Sequence, residues 1–223
     1  MSSGIKYNSE VDDRNTYYAA DLRKLAIEKT QIEDNPNMKF EYNNYHPLLL
    51  GIILERSTGQ SVSVYLQEKI WKPIGMEYNA SWSTDEFEFE KMESGLNSRA
   101  IDFAKFGRLY LRDGIWDGNQ VISKEWVKLS TEPYLPDIEG YYPDVSFFRC
   151  HHVYYSLMWW GIKRSENSYD YFALGNFGQF IYVSPDKNLI IVRNGIDYGE
   201  GMENEDIDWW PVIFYEFSNR LPS

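Results

Sequence analysis

Apolar residues recur at helical spacing from Thr16 to Lys29, from Tyr45 to Ser57 and from Val62 to Lys72, with Gly59 and Pro73-Ile74-Gly75 as stops. The stretch SRAIDFAKFGRLYLRDG predicts a further helix that opens at Ser98 and ends at Gly114. It puts Ala100, Phe103, Ala104, Gly107 and Leu111 on one face and Asp102, Lys105, Arg108 and Arg112 on another. From about Val153 the pattern changes to short aromatic and β-branched runs, VYYSLMWWGI, YFAL, GQFIYVS and NLIIVRN, which read as antiparallel strands. Ser184 to Asn188 supplies a hairpin loop between the last two. At the end, Trp210, Ile213, Phe214, Phe217 and Leu221 fall at helical spacing and predict a cover for one sheet face. The layout is α+β: a mostly helical part over 1–152, then a small antiparallel sheet with a closing C-terminal helix over 153–223.

Composition narrows the partners. The 223 residues hold 22 Lys+Arg against 34 Asp+Glu, a net charge of -12 that repels nucleic-acid phosphates and anionic lipid surfaces. No window approaches the ~20 apolar residues of a membrane span. The 17% aromatic content fills a core first, with some left to line a groove for an apolar or sugar-like ligand. The one cysteine, Cys150, cannot form an internal disulfide, so the fold needs no oxidising compartment. His46, His151 and His152 have no metal-binding spacing, and no phosphate loop, dinucleotide fingerprint or G-x-S-x-G elbow occurs, so neither metal nor cofactor is expected.

The candidate chemistry begins at FEYNNYHPLLLG, where Tyr42 and Asn44 stand two apart at the entrance to a leucine-rich helix. One reading is structural: Asn44 caps the helix, with Pro47 tolerated in its first turn. The other is catalytic, a phenol and a carboxamide turned toward one cleft.

The wider segment, FEYNNYHPLLLGIILERSTGQSVSVYLQEKIWKPIGM, resembles the surroundings of the Tyr-x-Asn motif in serine hydrolases of the class C β-lactamase, DD-peptidase and esterase group. SGLNSRAIDFAKFGRLYLRDGIWDGNQVISKEWV and YFALGNFGQFIYVSPDKNLIIVRNG look like the segments that follow in that family, and the nearest flavour is the 6-aminohexanoate-dimer hydrolase and esterase branch. The resemblance implies a partial β-lactamase/transpeptidase-like fold and acyl transfer on a small ester or amide: a serine attacks the carbonyl, a lysine and a tyrosine move its proton, and water releases the acyl-enzyme. It makes Tyr42 the proton-shuttling tyrosine and Asn44 an orienting donor. Asn176-Phe177-Gly178 matches the strand-edge Lys-Thr-Gly or His-x-Gly motif, with the backbone N–H of Gln179 in the oxyanion hole. Asn176 stands where the family has a cation, which favours uncharged substrates over penicillin-like anions. Tyr155, Trp159, Trp160 and Phe177 are candidates for the groove wall. A phenol of reference pKa about 10 serves as a base only beside a cation, so without the lysine Tyr42 stays protonated.

The family's nucleophile stands in Ser-x-x-Lys at the start of a buried helix. Two literal matches occur, Ser3 with Lys6 and Ser184 with Lys187, but neither opens an apolar helix, and Pro185 disfavours the second. The expectation is therefore that the nucleophile segment is missing from the chain. Loss of the family's N-terminal strands would expose sheet edge and apolar surface, predicting self-association or pairing with the segment that completes the fold. The rival readings are a catalytically silent peptide- or glycan-binding module and a truncated product.

Overall fold

The computed structural model describes residues 1–133, 153–197 and 209–221. Cys150, His151 and His152 lie outside the described residues. The chain divides into two compact units, one over Met1–Ser98 and one that begins at Arg99. The boundary thus precedes the expected one at 152/153, because the two helices that follow it pack on the sheet.

The first unit carries α1 (Ser9–Tyr18), α2 (Leu22–Lys29), α3 (Tyr45–Thr58) and α4 (Val62–Leu66). The helix expected over Thr16–Lys29 is two helices, because Ala19 turns to extended backbone and Asp21 caps a new start, its Oδ1 accepting from Lys24 N at 2.9 Å. Gly59 ends α3 in the left-handed region, as its sequence predicts. The run to Lys72 does not stay α-helical: after α4 it widens to a π-helical stretch, Gln67–Trp71, with Lys72 N bonding to Gln67 O. Ile5, Tyr7, Leu22, Ala26, Tyr45, Leu48, Ile52 and Phe89 form the core of this unit. A small ribbon pairs β1 (Ser81–Trp82) with β2 (Leu96–Asn97).

The second unit opens with α5 (Ala100–Leu111), the short ribbon β3 (Ile115–Trp116) and β4 (Asn119–Gln120), and α6 (Lys124–Thr131). Five antiparallel strands follow in sequential order: β5 (Val153–Ser156), β6 (Trp159–Ser165), β7 (Ser168–Gly175), β8 (Gln179–Ser184) and β9 (Leu189–Arg193). Ser184 pairs with Leu189, so Pro185–Asn188 forms the expected hairpin loop. α7 (Trp209–Asn219) closes the unit.

Strand alternation decides what each sheet face meets. Phe180 and Tyr182 of β8 meet the Phe214 ring of α7 edge-on and tilted, at 5.5 and 5.6 Å between ring centroids. Ile181 of β8 and Ile190 of β9 turn to α5, where Gly107 lets them approach to about 3 Å of the place a Cβ would take. The buried residues of α5 are Asp102, Gly107, Leu109 and Tyr110, rotated from the predicted face, because Tyr110 is drawn into an aromatic cluster with Trp159 at 4.7 Å. On α7 the buried residues are Pro211, Phe214 and Ser218, while Ile213 and Phe217 are exposed; Ser218 is held inward by the Arg164 guanidinium. No helix among the described residues is long and apolar enough to cross a membrane.

Candidate active site

In the first unit, Tyr42 is 43% exposed and lines an open cleft of about 630 Å³ together with Tyr7, Asn8, Ser9, Glu10 and Glu41. Desolvation raises its phenol above the ordinary pKa, and the nearby Tyr17 and Asp13 push the same way. The phenol is therefore neutral at physiological pH. Asp13 is the hub beneath it: one of its oxygens accepts from the Tyr7 hydroxyl and, at 3.0 Å, from Asn44 Nδ2.

Asn44 departs from both expectations. Its side chain makes no helix cap; Asn43 does that work, its Oδ1 taking Tyr45 N at 2.9 Å. Asn44 is 6% exposed, and its amide donates to Asp13 and, at 3.3 Å, to Thr16 Oγ1, so both amide protons are committed to α1. It anchors the Tyr42 segment instead of presenting a donor to the cleft.

In the second unit, Asn176, Phe177 and Gly178 form the β7–β8 hairpin turn, closed by the pair Gly175 and Gln179. This corrects the expected strand-edge placement, since β8 is flanked by β7 and β9. Phe177 and Gly178 both have positive φ, 61° and 71°. Asn176 and Phe177 are exposed. Trp159 and Trp160 are not groove walls: they are 5% and 7% exposed and pack against Tyr110 and Tyr171, and against Tyr155 and Phe172. Tyr155 is buried with them.

Sequence reasoning missed Arg193. Its guanidinium donates to the carbonyls of Phe177 at 2.9 Å, Gly178 at 2.7 Å and Asp197 at 3.1 Å, and lies 4.2 Å over the Trp210 ring. The turn thus has a cation beside it despite Asn176. Nothing in the spacing of NLIIVRNG ties that arginine to a turn fifteen residues upstream.

Neither Ser-x-x-Lys match has the form of a nucleophile. Ser184 is fully buried and ends β8. Ser3 Oγ lies 2.5 Å from His46 Nε2, but His46 Nδ1 is buried without a hydrogen-bond partner, so no acid orients the ring, and the adjoining cavity holds about 10 Å³. Burial, followed by the N-terminal ammonium, lowers His46 to about 4. Between its ordinary value near 6.5 and pH 4, the unfolded chain takes up a proton that the folded chain refuses. The stability present above that window is lost as pH falls through it, by about 2–3 kcal/mol. Urea midpoints at pH 7 and 4.5 should show the drop in the wild type and a flatter profile in His46→Gln.

The Beta-lactamase family profile matches residues 1–194. The 6-aminohexanoate-dimer hydrolase of Paenarthrobacter ureafaciens is 26% identical over 169 residues, 72% of this chain and 40% of that protein. A Bacillus anthracis structure assigned as a 6-aminohexanoate-dimer hydrolase superposes with a TM-score of 0.78 at 24% identity, over 99% of this chain and 60% of its own. A penicillin binding protein from Bacillus halodurans gives 0.65 at 17%, over 96% and 70%. The chain therefore spans 40% of the length of the Paenarthrobacter relative and 60% of the Bacillus anthracis one. With the aligned sequence running through both the Tyr42 segment and the 176–179 turn, this chain belongs to the beta-lactamase family.

Proposed function

We propose that the chain is the C-terminal portion of a β-lactamase-related serine hydrolase, cleaving uncharged esters or amides through an acyl-enzyme, with its nucleophile supplied by a Ser-x-x-Lys segment outside these 223 residues. The observation that carries this reading is Tyr42, a neutral phenol at the mouth of an open cleft, at the position that matches the family's proton-shuttling tyrosine. Tyr42 gives a proton to the leaving group, and takes one from the nucleophile once a lysine ammonium favours its phenolate. The 176–179 turn matches the strand-edge motif from which the family draws a backbone oxyanion donor, the role that the resemblance gives to Gln179. Arg193 spends two donors on the turn's own carbonyls and a third on Asp197, and Asn176 stands where the family has a cation, which supports an uncharged substrate.

A second reading, a silent peptide- or glycan-binding module, draws on the committed amide of Asn44 and on the acidic surroundings of Tyr42. A fluorophosphonate probe separates the two. The expected result is no label on the 223-residue chain, then labelling and p-nitrophenyl ester turnover when a Ser-x-x-Lys segment from a relative is joined to it. Label on Ser3 of the chain alone would place the nucleophile elsewhere, and ligand binding without turnover in the joined protein would favour the module.

A further inference from the structure

The two outer strands of the five-stranded sheet have different surroundings. β5 carries three buried residues, Tyr154, Tyr155 and Ser156, and the side chains of Tyr154 and Ser156 donate to the Thr131 and Leu129 carbonyls of α6. β9 is last in the strand order, and all five of its residues, Leu189–Arg193, are half-buried. Alternate residues of an outer strand turn their N–H and C=O away from the sheet. Among the described residues, the backbone of Leu189 to Val192 makes no hydrogen bond outside the ladder with β8. The run Leu-Ile-Ile-Val also has none of the prolines or charges that keep an open edge from pairing.

α7 adds apolar surface beside that edge. Trp210, Ile213 and Phe217 follow at i, i+3 and i+7 and form one stripe. Trp210 lies over Arg193 of β9, whereas Tyr215 and Ser218, on the opposite flank of the helix, meet Arg164 of β6. The stripe therefore looks past β9, and there Ile213 and Phe217 are 42% and 50% exposed.

We propose that β9 pairs antiparallel with β9 of a second copy of this chain, about a two-fold axis at Ile191, and that the α7 stripes of the two copies close over the junction. In that register Ile191 meets Ile191, Ile190 meets Val192 and Leu189 meets Arg193, so no like charges oppose each other. Ile191 pairs with Tyr182, whose ring packs on Phe214, so Ile191 stands on the α7 face of the sheet. With the axis perpendicular to the sheet, both α7 helices lie on that face, and Ile213 and Phe217 of each cover the apolar β9 side chains at the junction. A second copy fits as the occupant because the strand is complementary to itself. The contact also closes at two chains, since the other outer strand, β5, is the covered one. The net charge of -12 opposes association, so salt should strengthen it. Nothing in this interface depends on the hydrolytic reading.

Sedimentation velocity of the 223-residue chain over a concentration series should show a monomer–dimer equilibrium that tightens with added sodium chloride. Ile191→Lys removes the central apolar pair and sets two ammonium groups face to face, and should weaken the dimer at least about tenfold; Ile191→Glu should do the same. An equal mixture of the two variants should associate again, because opposite charges now meet at the axis, and that rescue requires both to be folded. Amide exchange of the wild type gives a reading free of substitution: β9 amides that exchange quickly in dilute solution should slow as the dimer forms. A chain that stays monomeric throughout overturns the proposal. So does a dimer whose β9 amides gain no protection, or one indifferent to Ile191→Lys, either of which would put the contact on another surface.

Discussion

Replacing Asp170 with alanine should destabilise the chain by about 3–5 kcal/mol, the scale for removing one partner of a buried ion pair. Asp170 is fully buried on β7 and accepts from Arg164 Nε at 2.6 Å, from Arg164 Nη2 and from the Tyr182 hydroxyl. Arg164, on β6, also reaches Asn219 Oδ1 at 2.6 Å and Ser218 Oγ, and lies 4.4 Å over the Tyr215 ring. One carboxylate therefore joins three strands to the last turn of α7. Without it, a guanidinium and a phenol are left in a site built to exclude water. Asp170→Asn, which keeps an acceptor for Tyr182 but loses the charge, should cost less. The double variant Arg164→Met/Asp170→Leu should recover much of the loss, since an apolar pair of similar volume removes the desolvation penalty along with the attraction. Urea unfolding followed by tryptophan fluorescence measures all three; a loss under 1 kcal/mol in Asp170→Ala would show that water reaches the network.

The elements legible in the sequence were those whose local signal and tertiary role agree. α3 has a capping glycine and an apolar run, and the 185–188 loop has Pro and Asn where a turn needs them, so both stand where the pattern puts them. What was not legible arose from partners distant in sequence. The buried stripe of α7 includes Ser218, a polar residue that turns inward because Arg164 lies there. Asp102 is buried although its spacing marks a solvent face. Trp159 and Trp160 have the composition of a ligand groove, yet neighbouring strand positions point to opposite faces and each is covered by its own helix or ring cluster. At the candidate site, Tyr42 and the 176–179 turn were readable through the resemblance, whereas Asp13 and Arg193 were not. Both act by gripping backbone or amide groups contributed by another segment, and no short motif encodes that.

Tyr42→Phe should lower acyl-transfer turnover by about 10²–10⁴-fold in a nucleophile-bearing form, the range for losing a positioned acid–base group, while the ring itself, and with it the packing of this partly exposed residue, is kept. The protonation state gives the prediction its direction. Desolvation is the largest cause of the raised phenol pKa, and Tyr17 and Asp13 add to it, so in the chain alone the phenolate of Tyr42 should form at higher pH than that of a free tyrosine. The ultraviolet difference between wild type and Tyr42→Phe measures this, and a phenolate band that appears at lower pH than that of a free tyrosine would contradict the environment described. A lysine ammonium brought within about 4–6 Å favours the charged form and should draw the ionisation down toward neutrality. The same phenol then changes from a pure acid to a base that can accept the nucleophile's proton. The expected outcome is a difference titration that shifts to lower pH when the Ser-x-x-Lys segment is joined, and that shifts back when its lysine is replaced by methionine. A titration indifferent to that lysine would remove Tyr42 from the proton path.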